Sequence, residues 1–234
     1  MDEKFEIKKI TGTENPQKIC WIAMHQDHSD KFAGNYKCPS EEKAGEFIIK
    51  HCLAGDRGHY GILEHPQITL ACGYFPHSVI QQLRTHRIGI TFDVQSFRYN
   101  KNNIISVADE IMDIESVFYI RPVGNYGNFY YNDELRKQDL IRCLEAAKHY
   151  RNAVNSGMPI EQARGLLPFD YRQHFVMSCN ARSLMHILDL RWKKDCQIEI
   201  QWFAELLFIN FSQWMPQISN WYFNHRSHKA RLSP

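Results

Sequence analysis

Paired cysteines are missing from this 234-residue chain: its seven cysteines never fall closer than fourteen positions apart, which fits neither a disulfide framework nor a Cys-based zinc site. They read as reduced, mostly buried thiols. No apolar run reaches the length of a membrane span, and Met1-Asp2-Glu3-Lys4 does not open a signal peptide, so the expected location is the cytoplasm, with no membrane partner. A large excess of charge of one sign is missing as well. A net charge of +2 gives no broad basic surface, and nonspecific nucleic-acid binding has little electrostatic support. GxGxxG, P-loop and HExxH motifs are absent, as are repeats and low-complexity runs. Twelve histidines invite a metal-dependent hydrolase, yet the closest pairs, His25/His28, His59/His65 and His225/His228, lack a carboxylate-rich partner pattern, and no metal is expected.

With 44% apolar and 23% charged residues, the chain is long enough to bury the core of one large domain. That domain is expected over residues 1–224, with a basic, flexible tail from His225 to Pro234. Periodicity predicts strands at Phe5–Lys9, Gln67–Phe75, Ser116–Arg121 and Phe169–Cys179. It predicts helices at Pro16–His25, Glu41–Leu53, Met158–Leu166 and Ile198–Trp214, the last apolar almost all round and so destined for the core or another subunit. Asn132 caps a further helix reaching Asn155, which Gly157 ends, and Asn180 opens another.

Two places break the pattern of a satisfied globular surface. In Gln81–Tyr99, arginines and a histidine crowd around serine, threonine and glutamine. If Pro76 starts a helix, Arg84 and Arg87 are neighbours three apart, where two cations repel by roughly 0.2–0.5 kcal/mol and a bound phosphate would reverse the sign. A solvated basic helix end is an equal reading. In Asn180–Arg191, Arg182 and His186 share one face, while Arg191 falls on the apolar stripe of Leu184, Ile187 and Leu188. On these residues alone, a cation placed at a helix C-terminus is preferred over an arginine held in a partly dry ligand site. The glycines of Gly55-Asp56-Arg57-Gly58-His59-Tyr60-Gly61 mark a loop that can approach a ligand, though flexible turns use them more often.

Taken together these segments resemble the flavin-dependent thymidylate synthase family. Its Arg-His-Arg cluster, followed by a serine and Arg-Tyr, is here Arg84-Thr85-His86-Arg87, then Ser96-Phe97-Arg98-Tyr99. Gly58-His59-Tyr60-Gly61-Ile62-Leu63-Glu64-His65 lies upstream; Gln162-Ala163-Arg164 with Leu167-Pro168, and Asn180-Ala181-Arg182-Ser183-Leu184-Met185 ending at Leu190-Arg191, lie downstream. The resemblance implies an α/β (α+β) fold around a central antiparallel sheet flanked by helices, and a homotetramer with active sites shared between subunits. It implies reductive methylation of dUMP to dTMP, with FAD as mediator, NADPH as reductant and 5,10-methylenetetrahydrofolate as carbon donor.

Carried over by position, Gly61, Arg84, His86, Arg87, Gln95, Asn180, Arg182 and His186 are expected at FAD. Gln81, Arg84, Gln95, Ser96, Phe97, Arg98, Arg164 and Arg191 are expected at dUMP. The resemblance further implies that Arg191 carries the chemistry by stabilising negative charge at uracil N3 and O2, that His59 lines the flavin and folate pocket, and that Ser96 positions nucleotide. The chain departs from the family where Thr85 interrupts the cluster and one extra residue separates Arg87 from Ser96. Val94 stands where an acid or amide is usual, a role passed to Gln95 or Asp93, with Gln95 favoured. Gly61 replaces a common serine or threonine, and His186 a frequent asparagine.

Overall fold

The computed structural model describes residues 1–229. Its elements begin with β1 (Glu6–Gly12), α1 (Pro16–Asp27), α2 (Glu41–Ile48), β2 (Gln67–Pro76), α3 (His77–Leu83), β3 (Ile90–Val94) and α4 (Lys101–Ala108). They continue with β4 (Gly124–Tyr126), β5 (Phe129–Tyr131), α5 (Asp133–Asn155), α6 (Ile160–Ala163), β6 (Arg172–Asn180), α7 (Ala181–Arg191), α8 (Ile198–Trp214) and α9 (Pro216–His225). A mixed sheet-and-helix fold results, with a central four-stranded sheet in the order β1-β2-β6-β3. Opposed pairings fix the strand directions. Thr69 and Ser178 share a hydroxyl hydrogen bond while the His77 amide bonds to Tyr171, so β2 and β6 run antiparallel. Asn180 bonds to Gly89 and Gln95 to His174, which makes β3 antiparallel to β6.

The chain groups into two compact units that interleave in sequence. The first takes Met1–Phe5, Gly73–Gln82 and Val94–Phe175; the second takes Glu6–Cys72, Leu83–Asp93 and the residues from Val176 on. In the first, Ile104 and Val107 of α4 pack with Cys143, Ala147 and Tyr150 of α5 and with Phe97 and Phe118, all buried. Asn132 caps α5 by accepting the Leu135 amide at 2.9 Å, as its sequence predicts. In the second, α1, α2, α7, α8 and α9 bury Cys20, Ile48, Leu184, Ile187, Phe203, Leu207 and Ile218. Asn15 does not cap α1; the Glu41 carboxylate does, accepting the Gln17 and Lys18 amides at 2.7 and 3.0 Å.

Several expected elements are redrawn. No strand spans Ser116–Arg121: a 3-10 turn at Ile114–Ser116, capped by Asp113, leads into a single bridge from Phe118 to Tyr171. Val117 to Ile120 are buried, so their apolar run reflects core packing rather than a ladder. The helix expected to Leu53 ends at Ile48 and gives way to a π-helical turn over Ile49–Leu53. Pro76 closes β2 and a helix, α3, opens at the next residue, His77, but it ends at Leu83, so Arg84 and Arg87 lie past it and their expected helical repulsion does not arise. The segment expected as a solvated tail from His225 is only partly so where it is described: His225, His228 and Lys229 are exposed. His225 belongs to α9, and Arg226 and Ser227 are buried. The rest of that expected tail, residues 230–234, lies outside the described residues.

Candidate functional site

Asn180 is at once the last residue of β6 and the N-cap of α7, where its side chain accepts the Ser183 amide at 2.8 Å. Its own amide bonds to the Gly89 carbonyl at 3.1 Å, and the Ser183 hydroxyl donates to the Ile88 carbonyl at 2.7 Å. The helix start is therefore stitched to the segment that follows the arginine cluster. Gly89 permits this closeness. It has φ of +65°, and a β-carbon there would fall 2.3 Å from Asn180 Nδ2 and 2.4 Å from Ser183 Oγ.

Beside this junction, within the second unit, opens a cavity of about 450 Å³ lined by Thr85, His86, Arg87, Asn180, Arg182 and His186, with Glu64, Ile88 and Ser183. Two segments far apart in sequence thus meet at one cavity. Arg182 donates to Glu64 at 2.5 Å, a half-exposed pair worth about 0–1 kcal/mol to stability. Arg84 and Arg87 are exposed and make no ion pair among the described residues. The rings of His86 and His186 meet edge to face at 5.2 Å, and His186 Nδ1 is buried without a hydrogen-bond partner.

Arg191 reaches the same place from the far end of α7. Its Nε–H donates to His86 Nε2 at 3.0 Å, and Nη2 donates to Thr85 Oγ1 at 2.8 Å. Because Nε2 accepts, His86 must be neutral with its proton on Nδ1. The electrostatics agree: burial, then Arg191 and His186, push the His86 pKa down to about 4. Burial also lowers His186, against an opposing pull from Asp189, and lowers Arg191, which nonetheless keeps its charge. The result is a half-buried guanidinium held by neutral acceptors, so its charge is not cancelled by these partners.

The remaining expected residues fall elsewhere. In the first unit, Gln81 Nε2 donates to His77 Nε2 at 2.7 Å, His77 Nδ1 faces Gln173 Oε1 at 2.6 Å, and Gln173 Nε2 donates to the Gln95 carbonyl at 2.9 Å. One string of hydrogen bonds therefore links Gln81 to Gln95. His77 and Gln173 were not singled out in the sequence, although His77 sits one helical turn before Gln81. Ser96 accepts from Arg98 Nε at 3.5 Å, Phe97 is buried against Tyr171 at 3.8 Å, and Arg164 is exposed. His59, in the second unit, is exposed and lines a separate cavity of about 390 Å³ with His28, His51 and Phe47. Gly61 has open space where a side chain would stand, so no steric need explains glycine there. Glu64 lines the candidate cavity yet received no role from sequence; its signal was a carboxylate inside a motif otherwise read for its glycines and histidine. Among the described residues no group of three or more potential ligands could hold a metal ion, and no helix is long and apolar enough to cross a membrane.

Residues 9–217 match the family described as thymidylate synthase complementing protein. A flavin-dependent thymidylate synthase of Haloarcula marismortui is 28% identical over 252 residues, covering 98% of this chain and all of that one. Another, of Pyrococcus abyssi, is 30% identical over 195 residues, covering 82% of this chain and 72% of its own length. In fold, the chain is similar to the UMP/dUMP methylase PolB of Streptomyces cacaoi bound with 5-Br dUMP, with a TM-score of 0.70, 18% identity and coverage of 98% and 97%.

Proposed function

The chain belongs to the flavin-dependent thymidylate synthase family, and from that premise we propose that it methylates dUMP to dTMP, taking the carbon from 5,10-methylenetetrahydrofolate and the reducing equivalents from NADPH. The observation that carries the reading is the convergence of Arg87, Asn180, Arg182 and His186 on one cavity, with Arg191 held at its edge by His86.

The residues fit a flavin dinucleotide. Arg84 and Arg87 are exposed cations suited to its phosphates, Asn180 and Arg182 line the cavity, and the orphaned Nδ1 of His186 awaits a partner. FAD, when bound, supplies the redox chemistry that carries the one-carbon unit and hydride. The protein's part is binding and electrostatics. Each unit carries residues we assign to the nucleotide: Gln81, Gln95, Ser96, Phe97, Arg98 and Arg164 in the first, and Arg84 and Arg191 in the second. Arg191 stabilises the negative charge that develops at uracil N3 and O2 as C5 becomes nucleophilic, and His86, staying neutral, fixes the guanidinium plane without cancelling its charge. His59 lines a separate cavity of its own chain, so its part toward flavin and folate falls to a neighbouring subunit's site, and the Gly61 backbone is assigned to phosphate. A homotetramer in the cytoplasm, with sites completed by neighbouring subunits, is the assembly this reading favours.

Purified protein should be yellow, bleach with NADPH under anaerobic conditions, and form dTMP from dUMP and methylenetetrahydrofolate. A colourless protein that takes up no added FAD would remove the proposal.

A further inference from the structure

Arg226 has no part in the site above, yet only 4% of it is exposed. It follows directly on α9, whose hydrogen-bonding continues through its amide to the Tyr222 carbonyl at 2.8 Å. Nη2 donates to Asp189 Oδ2 at 2.5 Å and Nη1 donates to the Tyr60 hydroxyl at 3.2 Å, with the guanidinium 5.7 Å from the Tyr60 ring centre. Both partners are telling by position. Asp189 lies on α7 between His186 and Arg191, and Tyr60 lies between His59 and Gly61. Just after Arg226, His228 Nδ1 donates to the carbonyl of Trp192, the C-cap of α7, at 2.7 Å. The C-terminal segment thus grips the turn of α7 that ends in Arg191, and a third contact reaches the glycine loop.

Stability alone does not call for such a pair. The Asp189 side chain is fully buried, burial raises its pKa against the opposing effect of Arg226, and apolar residues of similar volume would serve a core as well or better. What an ion pair adds is direction. We infer that Arg226 is a positioning residue for the reaction, fixing the last turn of α7, and so Arg191, relative to the loop that carries His59. The inference rests on the role proposed above for Arg191.

The test compares Arg226→Lys, Arg226→Gln and the double variant Asp189→Asn/Arg226→Gln with the wild type, scoring dTMP turnover per bound flavin so that unfolded protein drops out of the measure. Arg226→Gln leaves a buried carboxylate unpaired and should lower the melting temperature sharply. The double variant removes both charges, and it should regain the fold and FAD uptake while turnover per flavin stays about 10-fold below wild type, the effect of a slightly misplaced catalytic group. Arg226→Lys keeps the charge on Asp189 but not the two-pronged reach to Tyr60, and should fold normally with turnover between those values. Wild-type turnover per flavin in both the lysine and the double variant would overturn the inference and leave the pair a purely structural feature. A wild-type protein that binds no FAD would instead overturn the proposed function itself.

Discussion

Acid should weaken this protein through one identifiable ring. His86 is 8% exposed and accepts a hydrogen bond from Arg191, so protonation in the folded state would place a proton where the acceptor lone pair must be. Its pKa falls from 6.5 to about 4 on folding, so between those values the unfolded chain binds a proton that the folded chain refuses. Stability therefore rises with pH across that window and falls as pH is lowered through it. At about 1.36 kcal/mol per pH unit, the full loss below pH 4 comes to about 3 kcal/mol, of which about 2 kcal/mol is already gone at pH 5. Urea unfolding with and without His86→Gln at a series of pH values isolates the effect, because glutamine keeps an acceptor for Arg191 without titrating. His174, also of lowered pKa, stays in both proteins and drops out of the difference, while His186, whose ring meets that of His86, is replaced by asparagine in both. Parallel stability curves for the two proteins from pH 7.5 to 4.5 would refute the neutral, Arg191-bound imidazole.

Three more outcomes follow from the same geometry. Arg191→Ala should leave flavin absorbance in place and cut dTMP formation at least about 100-fold, measured by single-turnover assay; unchanged turnover takes Arg191 out of the chemistry. Gly89→Ala should destabilise the fold by about 2 kcal/mol or more, from the left-handed backbone and the intrusion on Asn180 and Ser183, and should weaken FAD uptake in a titration. Asn180→Ala, which loses the cap but adds no clash, should cost about 1 kcal/mol in denaturant unfolding.

Local chemistry made parts of this molecule legible. Asn132 and Asn180 announced α5 and α7 because a capping side chain and the helix it starts are adjacent in sequence. Arg182 and His186 were placed on a common face by helical spacing, and they do share a cavity wall. β3 escaped notice: Ile90, Phe92 and Val94 alternate, but each is only half-buried, and the arginines before them drew the segment toward a polar reading. The hairpin of β4 and β5 is too short to leave a pattern, with three residues per strand. Arg191 shows the limit most clearly. Its place on an apolar stripe was visible, but its partners His86 and Thr85 lie 105 and 106 positions away, and only the folded chain turns a misplaced cation into a held one.

The junction at Asn180 leaves no slack between sheet and helix, since β6 ends on the residue that caps α7. Inserting or deleting a single residue in that strand's final stretch would turn its last side chains to the opposite face of the sheet and shift the start of α7 by about 3.3 Å. His186 and Arg191 would leave the cavity together rather than one at a time. Length differences among natural variants of this sequence should therefore gather in the loops and spare this joint, which behaves as a rigid crank rather than a hinge.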